Sequence, residues 1–215
     1  MQPETKDCPR CGDELMSGKC YRCEEQLKQI RVYGIQRLGG LKAFERFTAE
    51  QFKPSRIQQP AFDAAKLFNH HHDNLYLYGP VGTGKSHLAT IAARRSLGKG
   101  SIRTLKPSEI SLQIRSAHNA AAESAILQEI MDTQVLVIDD LGTAKYTDFL
   151  VGILYAIVEN RLQNHLGGMI VTSNLSLSEL HGVLGEDRIT SRLFEMCKGK
   201  IFSMVGEPDH RIGRP

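Results

Sequence analysis

The chain has 215 residues, a formal net charge of +3, 41% hydrophobic and 24% charged residues. That length can bury a real core and suits one domain plus an appendage, and the composition is that of an ordinary globular protein. No run approaches the roughly 20 apolar residues of a membrane helix, and Met1-Gln2-Pro3-Glu4-Thr5-Lys6 lacks the apolar core of a secretory signal. A cytoplasmic protein without membrane partners is expected. The mild positive charge is compatible with nucleic-acid binding but does not argue for it.

In chain order, the cysteines come first. Four of the five lie in the first 23 residues, as Cys8-Pro9-Arg10-Cys11 and Cys20-Tyr21-Arg22-Cys23. Two C-x-x-C pairs a short loop apart can wrap one tetrahedral Zn²⁺ through four thiolates. The segment is too short to fold on an apolar core, and zinc-binding energies of about 10–16 kcal/mol in comparable peptides are ample to staple it. Redox or disulfide pairing is the other use of such pairs, and a reducing cytoplasm disfavours disulfides. Gly12 and Gly18 fit the turns of a small zinc ribbon. The expected organisation is a zinc-binding module over 1–35 and a second domain over 42–215, with the boundary between about 32 and 42. Glu24 to Ile35 reads as a short helix, and Gly34 and Gly39-Gly40 break it.

Phe44, Phe47 and Phe52 then recur before Pro54. They either pin a loop to the core or wall a nucleotide base. Pro60 to Asn69 has Ala61, Ala64, Ala65 and Phe68 on one side and a proline in its first turn, as a helix would. His70-His71-His72 sits where that helix must end, so a solvated turn is favoured over a metal site.

Next come a short apolar run, Asn74 to Tyr78, and Gly79-Pro80-Val81-Gly82-Thr83-Gly84-Lys85-Ser86, followed by a helix-like run from His87-Leu88-Ala89. This is a Walker A pattern in its proper strand, loop and helix context. Glycines let successive N–H groups curl toward phosphates, and the start of the following helix adds to that field. Lys85 is expected to reach the β- and γ-phosphates, and the Ser86 hydroxyl to hold Mg²⁺. The residues therefore point to a nucleoside triphosphate.

Ser101 to Leu105 reads as a second strand, and 109–131 as helical in two pieces around His118-Asn119. Arg115 and His118 could face a polymer, although a solvated face is the default for such residues. Val135-Leu136-Val137-Ile138-Asp139-Asp140 describes a strand buried on both faces with carboxylates at its end, a Walker B pattern. Asp139 would enter the Mg²⁺ shell and Asp140 would polarise the attacking water. Leu150 to Leu166 is an amphipathic helix. Gly168 to Thr172 is another buried strand, whose end carries Asn174, either a γ-phosphate contact or a turn former. Ser176 to Gly185 reads as a short helix. Arg188 and Arg192 stand one helical turn apart. Lys200 to Val205 supplies a fifth strand, and Asp209-His210-Arg211 follows. Cys197 has no nearby thiol partner and is expected to fill space.

Taken together, Gly79 to Ala89, Val137-Ile138-Asp139-Asp140-Leu141-Gly142, Thr172-Ser173-Asn174-Leu175 and Arg188-Ile189-Thr190-Ser191-Arg192-Leu193 resemble the AAA+ family over about residues 42 to 212. Within it the chain resembles the DnaC/DnaI/IstB group of bacterial helicase loaders and transposition helper ATPases. The second Walker B acid, Asp140 followed by Leu-Gly, looks like this group rather than AAA+ proteins at large, which favour Glu there. The resemblance implies an α/β P-loop fold with a five-stranded parallel sheet between helices and no C-terminal lid domain, since the chain stops before one could form. It implies ATP and Mg²⁺ bound at Gly79, Pro80, Val81, Gly82, Thr83, Gly84, Lys85, Ser86, His87 and Asp139. Asn174 would be sensor 1. Arg192 would be an arginine finger offered to a neighbouring subunit, with Arg188 as the alternative, and Arg211 the sensor 2 arginine. The region 109–131 resembles the insertion that initiator-type members use near single-stranded DNA.

The family's variable N-terminal part grips a replicative ring helicase, and some loaders carry zinc there. The implied function is an ATP-dependent helicase loader that self-associates through its ATP interface and binds single-stranded DNA. The alternative is an IstB-like transposition helper that recruits a transposase. A zinc ribbon favours the first, and a basic helical DNA-binding arm would have favoured the second. A metabolic P-loop kinase would need a phosphate-acceptor lid, for which no segment presents itself.

Overall fold

Five short apolar runs become strands: β1 (Leu75–Tyr78), β2 (Ile102–Leu105), β3 (Val135–Leu141), β4 (Met169–Ser173) and β5 (Ile201–Ser203). All neighbours pair in parallel, in the order β2-β3-β4-β1-β5. These are features of a computed structural model that describes residues 47–97 and 100–211. The expected zinc ligands Cys8, Cys11, Cys20 and Cys23, the domain boundary and Phe44 lie outside those residues. Among the described residues, no helix is long and apolar enough to cross a membrane.

Parallel strands need crossovers, and helices supply them on both faces of the sheet. They are α1 (Gln59–Leu67), α2 (Lys85–Arg94), α3 (Pro107–Arg115), α4 (Ala120–Met131), α5 (Asp148–Gln163), α6 (Leu177–Leu184) and α7 (Asp187–Met196). Side-chain alternation along each strand divides the core in two. Leu75, Leu77, Val137 and Ile170 pack with Ala61 and Ala65 of α1 and Leu88 and Ala92 of α2. Tyr76, Leu136, Ile138 and Val171 point the other way, to Ile110 of α3, Ile130 of α4, Leu154 and Ile157 of α5, Leu180 of α6 and Leu193 of α7. Each fully buried Leu or Ile contributes about 1.5–3 kcal/mol. A slip of one residue would therefore send a whole strand's apolar set to the wrong core.

Local signals set the helix ends. Pro107 opens α3, and the Glu109 carboxylate accepts from Lys106 N at 2.8 Å. Asn119 Oδ1 accepts from Ala122 N at 2.8 Å, which divides 107–131 into the two expected pieces. Ser176 and Glu179 form a capping box at α6, and Gly185 closes it in the left-handed region.

Two features differ from expectation. Strand β3 carries both acids within it and ends at Leu141, because a register shift against β4 between Ile138 and Leu141 lets the strand resume after the acids. His70 turns inward and is buried, while His71 and His72 are exposed. Cys197 fills space in the larger core, and burial pushes its thiol up to about 12.

One buried cation ties down the starts of two strands. Arg161 of α5 is 1% exposed. Its Nη1 donates to Thr133 O at 2.8 Å, and its Nη2 donates to Gln134 O at 3.0 Å and Gly167 O at 2.8 Å, just before β3 and β4. Burial lowers its guanidinium to about 10, so it is still charged at neutral pH. Replacement by Leu strands these carbonyls at about 1–3 kcal/mol each. Arg161→Leu should therefore lower the unfolding free energy by at least about 3 kcal/mol in a urea titration. Arg161→Lys should recover only part of it, since one ammonium cannot span the set. A loss below about 1 kcal/mol for the leucine variant would show that the carbonyls find water instead.

Candidate functional site

Between β1 and α2 the chain turns through Gly79–Gly84. Gly82 and Gly84 have φ of +79° and +85°, where a side chain is disfavoured. Space forbids one as well: a Cβ on Gly82 would lie 1.7 Å from Asp209 Oδ1, and one on Gly84 2.8 Å from Phe52 Cε2. Lys85 folds back so that Nζ donates to Gly79 O at 2.7 Å and Pro80 O at 2.6 Å. Burial lowers its pKa, the charges of Asp140 and Asp139 oppose that, and the charge of Arg211 adds to it. A buried ammonium hydrogen-bonded to two backbone carbonyls, at the start of a helix with free N–H groups, suits an incoming polyanion.

His87 looks away from the loop's interior. It stacks on Phe47 at 4.7 Å between ring centres, meets Phe52 edge-on at 4.8 Å, and places Nε2 2.9 Å from Thr48 O. Phe52 also stacks on Phe62 of α1. These contacts are those of a loop pinned to the core by its phenylalanines.

The two acids of β3 face this loop. Asp139 Oδ1 accepts from Ser86 Oγ at 2.9 Å and from Thr172 Oγ1 at 2.6 Å. The same Thr172 hydroxyl accepts from Asp140 N at 2.9 Å. Asp140 has φ of +58°, and its Oδ2 lies 3.0 Å from Lys106 Nζ, which that bond and charge raise above the usual lysine range. Asn174 is half-buried one residue beyond β4. It is Thr172, not Asn174, that touches the acids. Thr172 stood in the Thr172–Leu175 motif with no role given to its hydroxyl, and Lys106 was not marked out at all, since a threonine in a strand and a lysine before a helix are both commonplace.

The chain's last described residues close over the loop. His210 N donates to Gly82 O at 3.1 Å, and Arg211 N donates to Asp209 Oδ1 at 2.8 Å. Gln58, fully buried, donates Nε2 to Thr83 O at 3.0 Å and lies 3.3 Å from His210 Nε2. Ser55 Oγ donates to the buried Glu207 carboxylate. Arg211 is thus brought to the P-loop. Arg188 and Arg192 of α7 are not: they engage Glu186, Glu159 and Tyr155, and none of those partners belongs to the loop or carries its acids. Among the described residues no group of three or more His, Cys, Asp or Glu could hold a metal.

Thr172→Val keeps the shape and removes the hydroxyl that joins Asp139 to the Asp140 backbone. Nucleotide turnover should fall about tenfold or more, with nucleotide affinity changed by less than about threefold. Parallel hydrolysis and binding titrations would check this, and an unchanged turnover would remove Thr172 from the site.

The family model described as IstB-like ATP binding protein matches residues 22–200. A search of curated proteins finds no match. Among solved structures the chain is similar to the DnaC helicase loader, with a TM-score of 0.65 and 22% identity over 75% of this chain and 98% of that one. It is similar to DnaI, with a TM-score of 0.63 and 18% identity over 78% of this chain and 95% of that one. It is also similar to AMPPCP-bound DnaA from Aquifex aeolicus, with a TM-score of 0.61 and 18% identity over 74% of this chain but only 50% of that one. At such identities these structures speak to fold alone, and the family model speaks to descent. The chain belongs to the IstB-like ATP-binding protein family.

Proposed function

We propose that this protein is an ATP-dependent helicase loader, which hydrolyses ATP between self-associated copies, binds single-stranded DNA and delivers a ring helicase to it. The observation that carries the chemistry is the shared Asp139 oxygen, which draws Ser86 and Thr172 to one point beside the glycine loop. What supports the loader role is the similarity in fold to DnaC and DnaI over almost all of each structure.

In this reading Lys85 leaves the carbonyls of Gly79 and Pro80 for the β- and γ-phosphate oxygens, and the backbone from Gly79 to His87 cradles the rest. Ser86 and Asp139 offer the hard oxygen donors that suit Mg²⁺, and they already meet at 2.9 Å. When bound, Mg²⁺ would neutralise charge on the phosphate oxygens. Asp140 orients and polarises the attacking water, freed from Lys106, and Asn174 reaches the same water. Arg211 serves its own site from the returning C-terminal segment. Arg192 serves the neighbour's, a role supported by its place on α7 with no contact to its own loop. Phe47 and Phe52 stand beside the loop, where the adenine would lie. Residues 1–35 form a zinc module on Cys8, Cys11, Cys20 and Cys23 that docks the helicase, residues 42–215 the ATPase domain, and 109–131 the DNA-facing insertion of a cytoplasmic protein.

The IstB-like family model favours a second reading, a transposition helper that recruits a transposase. A pulldown with candidate replicative helicase and transposase, with and without ATP, separates the two. Retention of the helicase alone supports the loader, and retention of the transposase alone replaces it.

Three variants test the chemistry. Lys85→Ala should abolish tight ATP binding. Asp140→Asn and Arg192→Ala should each bind ATP and turn it over at least about a hundredfold more slowly. Mixing the last two should restore hydrolysis, because an intact Asp140 from one chain then meets an intact Arg192 from the other. If they co-assemble without recovery, Arg192 does not act in trans, and Arg188 takes its place. The zinc module is tested separately. Metal analysis should give one zinc per chain, and Cys20→Ser should lose helicase binding while ATP binding stays within about twofold. Zinc-free protein that still captures the helicase would rule the docking role out.

A further inference from the structure

The α5–α7 contact holds a side-chain arrangement that none of the motifs foretold. Tyr155 and Glu159 stand one turn apart on α5, and Arg188 and Arg192 one turn apart on α7. The four side chains meet. The Arg192 guanidinium carbon lies 4.9 Å from the centre of the Tyr155 ring, and that of Arg188 5.0 Å from the same centre. Arg192 Nε donates to the Glu159 carboxylate, Nη2 donates to the Tyr155 hydroxyl at 3.2 Å, and Nη1 reaches Arg188 O at 3.4 Å.

The choice of nitrogen matters. Glu159 takes Nε, the donor nearest the stem, and not the terminal fork. A guanidinium has five N–H donors, so a hydrogen remains on each Nη after these bonds. The fork is the part that matches phosphate oxygens. The Arg192 side chain is 24% exposed, so these contacts leave it partly open to solvent. An arginine on a free stem would have to lose its rotamer freedom at the moment of reaction, and here that loss has already happened on folding. A carboxylate bonded across the fork would instead have masked it.

We propose that Glu159 and Tyr155 are positioning residues, which hold the Arg192 guanidinium with its fork outward for the γ-phosphate bound by a second copy of this chain. The proposal rests on the reading of Arg192 as the residue given in trans. Among the described residues both meet the arginines of α7 and neither is hydrogen-bonded to the glycine loop or its acids, so each acts through Arg192.

The test uses the full chain, with kcat and KM for ATP measured at protein concentrations where activity per chain has stopped rising. Glu159→Ala should lower kcat about ten- to a hundredfold and leave KM within about twofold. Glu159→Gln, which still offers an oxygen to Nε, should recover most of that loss. Tyr155→Phe, which keeps the ring and the packing, should lower kcat several-fold and carries the test if the alanine variant folds poorly. Mixed with Asp140→Asn, both slow variants should regain hydrolysis, because the Asp140→Asn chain supplies a properly held Arg192. A rate at or above that of the unaltered protein in both Glu159 variants and in Tyr155→Phe would overturn the proposal. So would slow variants that mixing does not restore, since the defect would then lie in their own site. Arg192→Ala at the full rate would instead sink the reading beneath it, whatever Glu159 does.

Discussion

A single carboxylate oxygen, Asp139 Oδ1, is where the parts of this site converge. It accepts one hydrogen bond from the first turn of α2 and another from the end of β4, while itself belonging to β3. The strand order makes this possible. Because β4 lies between β1 and β3, the loop that follows β1 and the acids of β3 face each other across the tip of a third strand. Thr172 fills that tip, and its hydroxyl reaches the acids' side chain and backbone together. The two cores keep all three strands in step. At the opposite end of the sheet Arg161 binds the carbonyls that precede β3 and β4, so those strands are held at both ends.

The glycine loop is bracketed in a similar way by distant parts of the chain. Ser55 and Glu207, 152 positions apart, are hydrogen-bonded, and Gln58 and His210 meet beside the loop's own carbonyls. Phe52 occupies the space that a side chain on Gly84 would need, and Asp209 the space at Gly82. The loop's glycines thus answer to their neighbours as well as to their own dihedral angles. A backbone that must admit phosphates is shaped by groups that press on it from outside.

The parts of the site that were legible in the sequence are those whose chemistry needs consecutive residues. A curl of N–H groups demands glycines at fixed spacing, and a strand buried on both faces that ends in acids has a composition of its own. The roles of Thr172 and Lys106 had no such mark, because they come from strand order and from the way the helix after β2 starts. The α5–α7 arrangement was half legible: Arg188 and Arg192 stood out by spacing, but Tyr155 and Glu159, 37 and 33 positions from Arg192, did not. The strand ends suffered from a different ambiguity. Two acids after an apolar run read as the start of a loop, and only the shifted register against β4 shows that the strand continues past them.

That shift leaves Asp140 with a positive φ, and the backbone there restricts which residues can follow Asp139. Asp and Asn tolerate this conformation better than other side chains, β-branched residues least of all. A glutamate would enter at a conformational disadvantage, which gives a physical reason for the shorter acid. The same preference leaves one door open. Asparagine fits the backbone as well as aspartate does, and their codons differ by one base. The backbone conformation therefore sets no barrier to this loss of charge, and any selection that keeps the acid must act on what the carboxylate does.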